Sequence, residues 1–265
     1  MISDLWLVGI GTGSPGHVTL EGVQALRDAA VILLPLKGDD KEALAQLRRR
    51  ILDASGSGAQ VVSFDYPDRD PTLPYAERVA AWHGEIARRW QQALAPVRRP
   101  GPVALMVWGD PALYDSTLRI ARMLSPAPRV RVVPGITAIQ ALTAAHAIPL
   151  NTIDGPVHVT TGRRLRAAGL PPGDGSVVVM LDGECSFRQL APEGLHIWWG
   201  AYLGSPDQIL HAGPLEDAAP RIVDLRAEAR ARHGWIMDTY LLRRAQKSSP
   251  RSSVPAEWVS APTEM

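Results

Sequence analysis

Three short stretches hold residue types from which a small-molecule site could be built: Gly9-Ile-Gly-Thr-Gly-Ser-Pro-Gly16, Trp108-Gly-Asp-Pro111 and Pro134-Gly-Ile-Thr137. In the first, glycines at alternate positions let the backbone turn tightly and present its amides to a bound molecule, because no Cβ stands in the way. The second sets a carboxylate, Asp110, inside a glycine-proline turn. Each stretch follows an apolar run, Leu5 to Ile10, Val103 to Val107 and Val130 to Val133. Open α/β sheets gather their ligands at such strand ends.

The first loop excludes some ligands. A Walker-type phosphate cradle needs Gly-Lys followed by Ser or Thr, and no such lysine is present. Gly11, Gly13 and Gly16 can be forced into Gly-x-Gly-x-x-Gly, but Pro15 and His17-Val18 delay the next helix to an N-cap at Thr19, too far along for a pyrophosphate. The common methyltransferase fold places an acid just before its glycines, where Trp6, Leu7 and Val8 stand here.

Other chemistries find less support. The seven histidines show no His-x-x-x-His spacing and the lone Cys185 makes no Cys-x-x-Cys, so no metal is expected. No Gly-x-Ser-x-Gly occurs, and Ser57 between two glycines reads as a turn. Among the arginine clusters, Arg163-Arg164 stands out because it follows Thr160-Thr-Gly162 at a strand end.

These loops need a scaffold, and the chain supplies one. At 265 residues with 46% hydrophobic content it suits one large or two modest domains with real cores. A formal charge of +1 offers no global field for nucleic acid or membrane. One cysteine rules out an internal disulfide, and no targeting signal or membrane-length apolar run is legible, so the cytoplasm is the default. The first half, residues 1–146, alternates apolar runs with helical patterns at about 21–29, 41–52, 75–94 and 116–124, and reads as a parallel α/β domain. A linker is expected over 147–156. Close strand spacing at 157–160, 177–181, 196–199, 208–211 and 235–242, with a helix at about 218–231, makes 157–245 a mixed or antiparallel sheet. The Ser- and Pro-rich residues 246–265 are expected to be disordered.

In this order and spacing, Gly9-Ile-Gly-Thr-Gly-Ser-Pro15 with Thr19-Leu20, Gly109-Asp-Pro111 and Pro134-Gly-Ile-Thr137 resemble the tetrapyrrole (precorrin) methylase family. The resemblance covers about residues 4 to 244. It implies a two-domain α/β fold, a homodimer, and a cleft between the domains for S-adenosylmethionine. Carried over residue by residue, it puts cofactor contacts at Thr12, Trp108, Gly109, Asp110, Leu113, Thr137, Ala138 and Met180, with further contacts near Tyr202 and Leu203.

Trp108-Gly-Asp-Pro-Ala-Leu-Tyr-Asp-Ser-Thr117, Thr160-Thr-Gly-Arg163, Val179-Met-Leu-Asp-Gly-Glu184, Trp199-Gly-Ala-Tyr-Leu-Gly204 and Gly234-Trp-Ile-Met-Asp-Thr-Tyr240 further resemble the members that couple methylation to deacetylation. The implied reaction converts precorrin-5, S-adenosylmethionine and water to precorrin-6A, S-adenosylhomocysteine and acetate, with methylation at C-1. Deacetylation calls for a base and an oxyanion donor. Asp110, Tyr114, Glu184 and Asp238 are the candidates, with Asp110 and Tyr114 favoured because they share the cofactor loop. Arg163 and Arg164 are expected to bind substrate carboxylates. A precorrin methylase acting at another ring carbon, an NAD(P)-dependent Rossmann reductase and a macrocycle-binding protein remain alternatives.

Overall fold

The computed structural model describes residues 2–36 and 42–244. The first half forms a parallel sheet of β1 (Asp4–Gly9), β2 (Val31–Leu36), β3 (Gln60–Asp65), β4 (Val103–Val107) and β5 (Arg129–Val133), in the order β3-β2-β4-β1-β5. Strands buried on both faces read as continuous apolar runs, and β1 and β4 do. Their side chains alternate between two cores. Leu5, Leu7, Leu33 and Leu105 meet Ile86 and Trp90 of α3 (Tyr75–Leu94) and Ile120 of α4 (Thr117–Ala121). Val8, Ile32 and Met106 meet Leu26 of α1 (Leu20–Asp28) and Ile51 of α2 (Glu42–Ser55) on the other face.

The second sheet runs β6-β7-β10-β8-β9, from β6 (Val157–Thr161), β7 (Ser176–Met180), β8 (Leu195–Ala201), β9 (Ile209–Pro214) and β10 (Asp238–Arg244). Only β6 and β7 pair in parallel; the other neighbours are antiparallel, so this sheet is mixed as expected. One face is covered by α6 (Gly162–Ala168) and α7 (Leu215–His233), through Leu165, Ile222 and Ala229. The other receives α5 (Ala138–Ala145) from the first half, whose Ile139 and Leu142 pack on Val178, Leu203 and Leu241. Residues 147–156 between α5 and β6 carry neither helix nor strand, and Arg243 Nη2 donates to the carbonyl of Pro149 within them at 2.8 Å.

Several boundaries differ from the sequence reading. The last strand starts at Asp238, not Trp235. The Trp235 ring packs edge-on against Tyr202 and the Met237 carbonyl accepts the Tyr202 amide at 3.0 Å, so 235–237 line a turn. The helix at 116–124 contracts to α4, and α7 starts three residues before Ala218, directly after Pro214. Thr19 is the N-cap of α1, its side chain accepting the Gly22 amide at 3.0 Å. The expected disordered tail, 246–265, lies outside the described residues.

Candidate active site

The three glycine stretches converge through backbone contact. The Gly109 amide donates to the Gly11 carbonyl at 2.8 Å, joining the turns after β1 and β4 in a short antiparallel bridge. A Cβ on Gly9 would stand 2.8 Å from the Gly109 carbonyl oxygen and 2.6 Å from the Gly135 nitrogen, and one on Gly135 would overlap that same oxygen. Only glycine lets three strand ends approach so closely. Asp110 then ties them: one oxygen accepts the Ala112 amide at 2.7 Å and the other the Gly135 amide at 2.9 Å. Thr137 closes the third loop by capping α5, in a capping box with Gln140.

In the second half, β7 and β8 end and β10 begins on the side facing these loops, and together they enclose a cleft of about 810 Å³. Thr12, Trp108, Gly109, Asp110, Leu113, Tyr114, Thr137, Ala138, Met180, Tyr202 and Leu203 all line it. So do residues that sequence reasoning missed as contacts, among them Arg50, Leu181, Arg232, His233 and Trp235. A signal for Trp235 was available, since Gly234 to Tyr240 was already a motif. Arg50 had none, because α2 reads as an ordinary charged helix. Tyr114, Leu181 and Tyr202 all hold φ near +50°, a conformation bulky residues rarely adopt and one that gathers at functional sites.

Below the cleft, Asp182 is buried and accepts hydrogen bonds from the Ser186 amide (2.6 Å), the Ser186 hydroxyl (2.7 Å) and the Tyr240 hydroxyl (2.7 Å). Burial alone would raise its pKa, but these donors outweigh it and hold the carboxyl below its ordinary range. The same burial, with the carboxylate beside it, drives the Tyr240 phenol far up. Arg226 pairs with Asp238 at 2.9 Å and also donates to the Asp182 carbonyl at 2.8 Å, fixing the backbone that follows Leu181.

The candidate acid-base groups therefore occupy different settings. Both Asp110 oxygens are committed to backbone amides. Asp238 lines the cleft, but it is paired with Arg226 and accepts the Trp199 indole N–H at 2.8 Å. Glu184 stands outside the cleft lining, exposed and paired with Arg166 at 3.1 Å. Tyr114 is 43% exposed and its hydroxyl donates to the Val159 carbonyl at 3.3 Å. Arg163 and Arg164 also lie outside the lining, exposed at the start of α6, with the Arg163 guanidinium 4.5 Å over the Tyr75 ring.

Two donors in the cleft wall lack partners. The indole N–H groups of Trp108 and Trp235 are buried with no acceptor among the described residues. No group of three or more His, Cys, Asp or Glu suited to a metal ion occurs among the described residues, nor any helix long and apolar enough to cross a membrane. The helix after the first loop starts at Leu20, beyond the Gly-x-Gly-x-x-Gly stretch.

Residues 4–219 match the family model of the Tetrapyrrole (Corrin/Porphyrin) Methylases. The chain belongs to this family. Among curated relatives of this tetrapyrrole methylase, a precorrin-6A synthase [deacetylating] from Sinorhizobium sp is 42% identical over 246 residues, 90% of this chain and 94% of that protein. Among solved structures, a cobalamin synthesis related protein (CobF) from Corynebacterium diphtheriae is 38% identical with a TM-score of 0.78, covering 93% of this chain and 100% of that one. A uroporphyrin-III C-methyl transferase from Thermus thermophilus, complexed with S-adenosylhomocysteine, shares the fold with a TM-score of 0.57 at 18% identity, covering 91% of this chain and 97% of that one.

Proposed function

We propose that this tetrapyrrole methylase is an S-adenosylmethionine-dependent C-methyltransferase of cobalamin biosynthesis that converts precorrin-5 to precorrin-6A. The observation that carries this reading is the 42% identity to a precorrin-6A synthase over 94% of that protein's length.

The cleft suits the cofactor chemically. Leu113, Met180 and Leu203 offer apolar surface, and the glycine turns offer amides and carbonyls. When bound, S-adenosylmethionine supplies a methyl group already activated on a sulfonium. The protein's task is then mainly orientation, which can supply much of a rate enhancement. Asp110 serves this task by locking the turns after β4 and β5 together.

Methyl transfer to C-1 leaves S-adenosylhomocysteine. For the deacetylation, water adds to the acetyl carbonyl, the carbon-carbon bond breaks with its electron pair entering the macrocycle, and acetate leaves. Tyr114, at the cleft and only weakly engaged, is the group that donates to the carbonyl oxygen as charge builds there. The acetate and propionate side chains of the macrocycle require cations. Arg50 and Arg232 in the lining meet that need, with Arg163 and Arg164 further out along α6.

A cytoplasmic homodimer belongs to the same proposal. Supporting it, β5 is an edge strand with Val130 and Val132 exposed, a face a second copy would cover. Calorimetry with S-adenosylhomocysteine and with NADPH tests the cofactor reading. Binding of the first alone is expected; binding of NADPH alone would restore the reductase alternative.

A further inference from the structure

Two loops that line the cleft come from opposite halves of the chain: the first glycine loop through Thr12, and the turn after β8 through Tyr202, Leu203 and Ser205. They touch. A Cβ built on Gly13 would lie 3.4 Å from the Leu203 carbonyl oxygen and 3.4 Å from the Ser205 Cβ, ordinary contact distances.

The side chain of His17 sits at this junction. Its backbone ends a 3-10 turn over Pro15–His17, started by Ser14, whose hydroxyl accepts the Gly16 amide at 3.1 Å. From there the imidazole turns back, and its Nδ1 lies 3.0 Å from the Thr12 hydroxyl. On the other side it fills the space a side chain at position 204 would need. A Cβ on Gly204 would stand 2.8 Å from His17 Nδ1 and overlap Cε1, while one on Gly11 would overlap the His17 Cβ. Gly11 and Gly204 hold φ of +74° and +77°, so both turns are shaped around one residue, Gly11 against its Cβ and backbone and Gly204 against its ring. His17 itself does not line the cleft, and burial lowers its pKa, favouring the neutral imidazole.

We propose that His17 is a positioning residue for the cofactor: its ring is the wedge that sets the distance between the Thr12 loop and the Tyr202–Ser205 turn. The proposal rests on the S-adenosylmethionine reading of the cleft. Because the ring is gripped from both sides, its removal lets the two walls shift. A displacement on the order of 1 Å is enough to cost a site large factors in function.

The test is a reciprocal pair read by calorimetric S-adenosylhomocysteine binding and by the melting temperature of each variant. His17→Ala and Gly204→Ala are each expected to weaken binding about tenfold, the scale of a modest loss of fit. His17→Asn, which keeps a polar atom near Thr12 without the ring, should fall between wild type and His17→Ala. In His17→Ala/Gly204→Ala the methyl enters space the ring has vacated, so the Gly204→Ala penalty on binding should shrink to about threefold or less, while the melting temperature stays lowered because alanine at φ +77° is strained whatever the space. In turnover assays KM for S-adenosylmethionine should rise more than kcat falls. Variants that melt lower yet bind with wild-type affinity, or penalties that simply multiply, would overturn the wedge while leaving the cofactor reading intact. A wild-type protein that fails to bind S-adenosylhomocysteine would overturn both.

Discussion

The Asp110 carboxylate accepts the Gly135 amide at 2.9 Å, so the turn that ends β4 is fastened directly to the turn that ends β5. The fastening explains why an acid sits among glycines. The glycines let three backbones meet, and the carboxylate satisfies amides that this approach would otherwise leave without acceptors. Asp110 lines the cleft as well, so the group that holds the loops also shapes the cavity.

Asp110→Ala strands the amides of Ala112 and Gly135 and should lower kcat/KM by about a hundredfold or more, a scale typical of lost positioning. Asp110→Asn keeps one acceptor oxygen and should recover part of the loss. Steady-state kinetics on the two variants checks this, and a near-normal rate for Asp110→Ala would remove the residue from any essential role.

Gly135→Ala places a methyl against backbone that cannot rotate away, the Gly109 carbonyl and Gly9, and should cost about 3 kcal/mol, the upper range of overpacking. Gly183→Ala is the matched control. Nothing lies within 4 Å of a Cβ there and its φ is not in the positive range that disfavours side chains, so the change should stay within about 0.5 kcal/mol. Denaturant midpoints separate the two; equal effects would contradict the close packing of the strand ends.

Acid should destabilise the protein before its carboxylates titrate. His17, His83, His146 and His196 all have pKa values lowered from 6.5, chiefly by burial. The unfolded chain therefore binds protons that the folded one refuses, so stability is full above 6.5 and falls as pH drops below it. Asp182, held below 3.8, adds its own loss only at lower pH. Urea midpoints at pH 7.5 and 5.5 test this, and His83→Gln should flatten the difference. A higher midpoint at the lower pH would contradict the assignment.

How much of this was legible in the sequence depended on distance along the chain. The bounds of α3 and β4 read correctly because apolar periodicity and turn residues are local signals. The cleft loops were legible too, since glycine after an apolar run marks a strand end. By contrast, α5 went unread: Ala-Ile-Gln-Ala-Leu-Thr-Ala-Ala packs against the second sheet and lacks a clean polar face. Leu181 and Arg232 reach the cleft only through tertiary packing, which periodicity does not encode. Arg163 shows the converse, because its place after a strand end did not determine what it meets: its guanidinium lies over the Tyr75 ring and outside the cleft lining.

The central claim is tested most directly by incubating the purified protein with precorrin-5 and S-adenosylmethionine and counting products. The account predicts one acetate released for each S-adenosylhomocysteine formed, with the tetrapyrrole gaining one methyl group at C-1 and losing its acetyl group. S-adenosylhomocysteine formed without acetate, or a methyl group at another ring carbon, would contradict it.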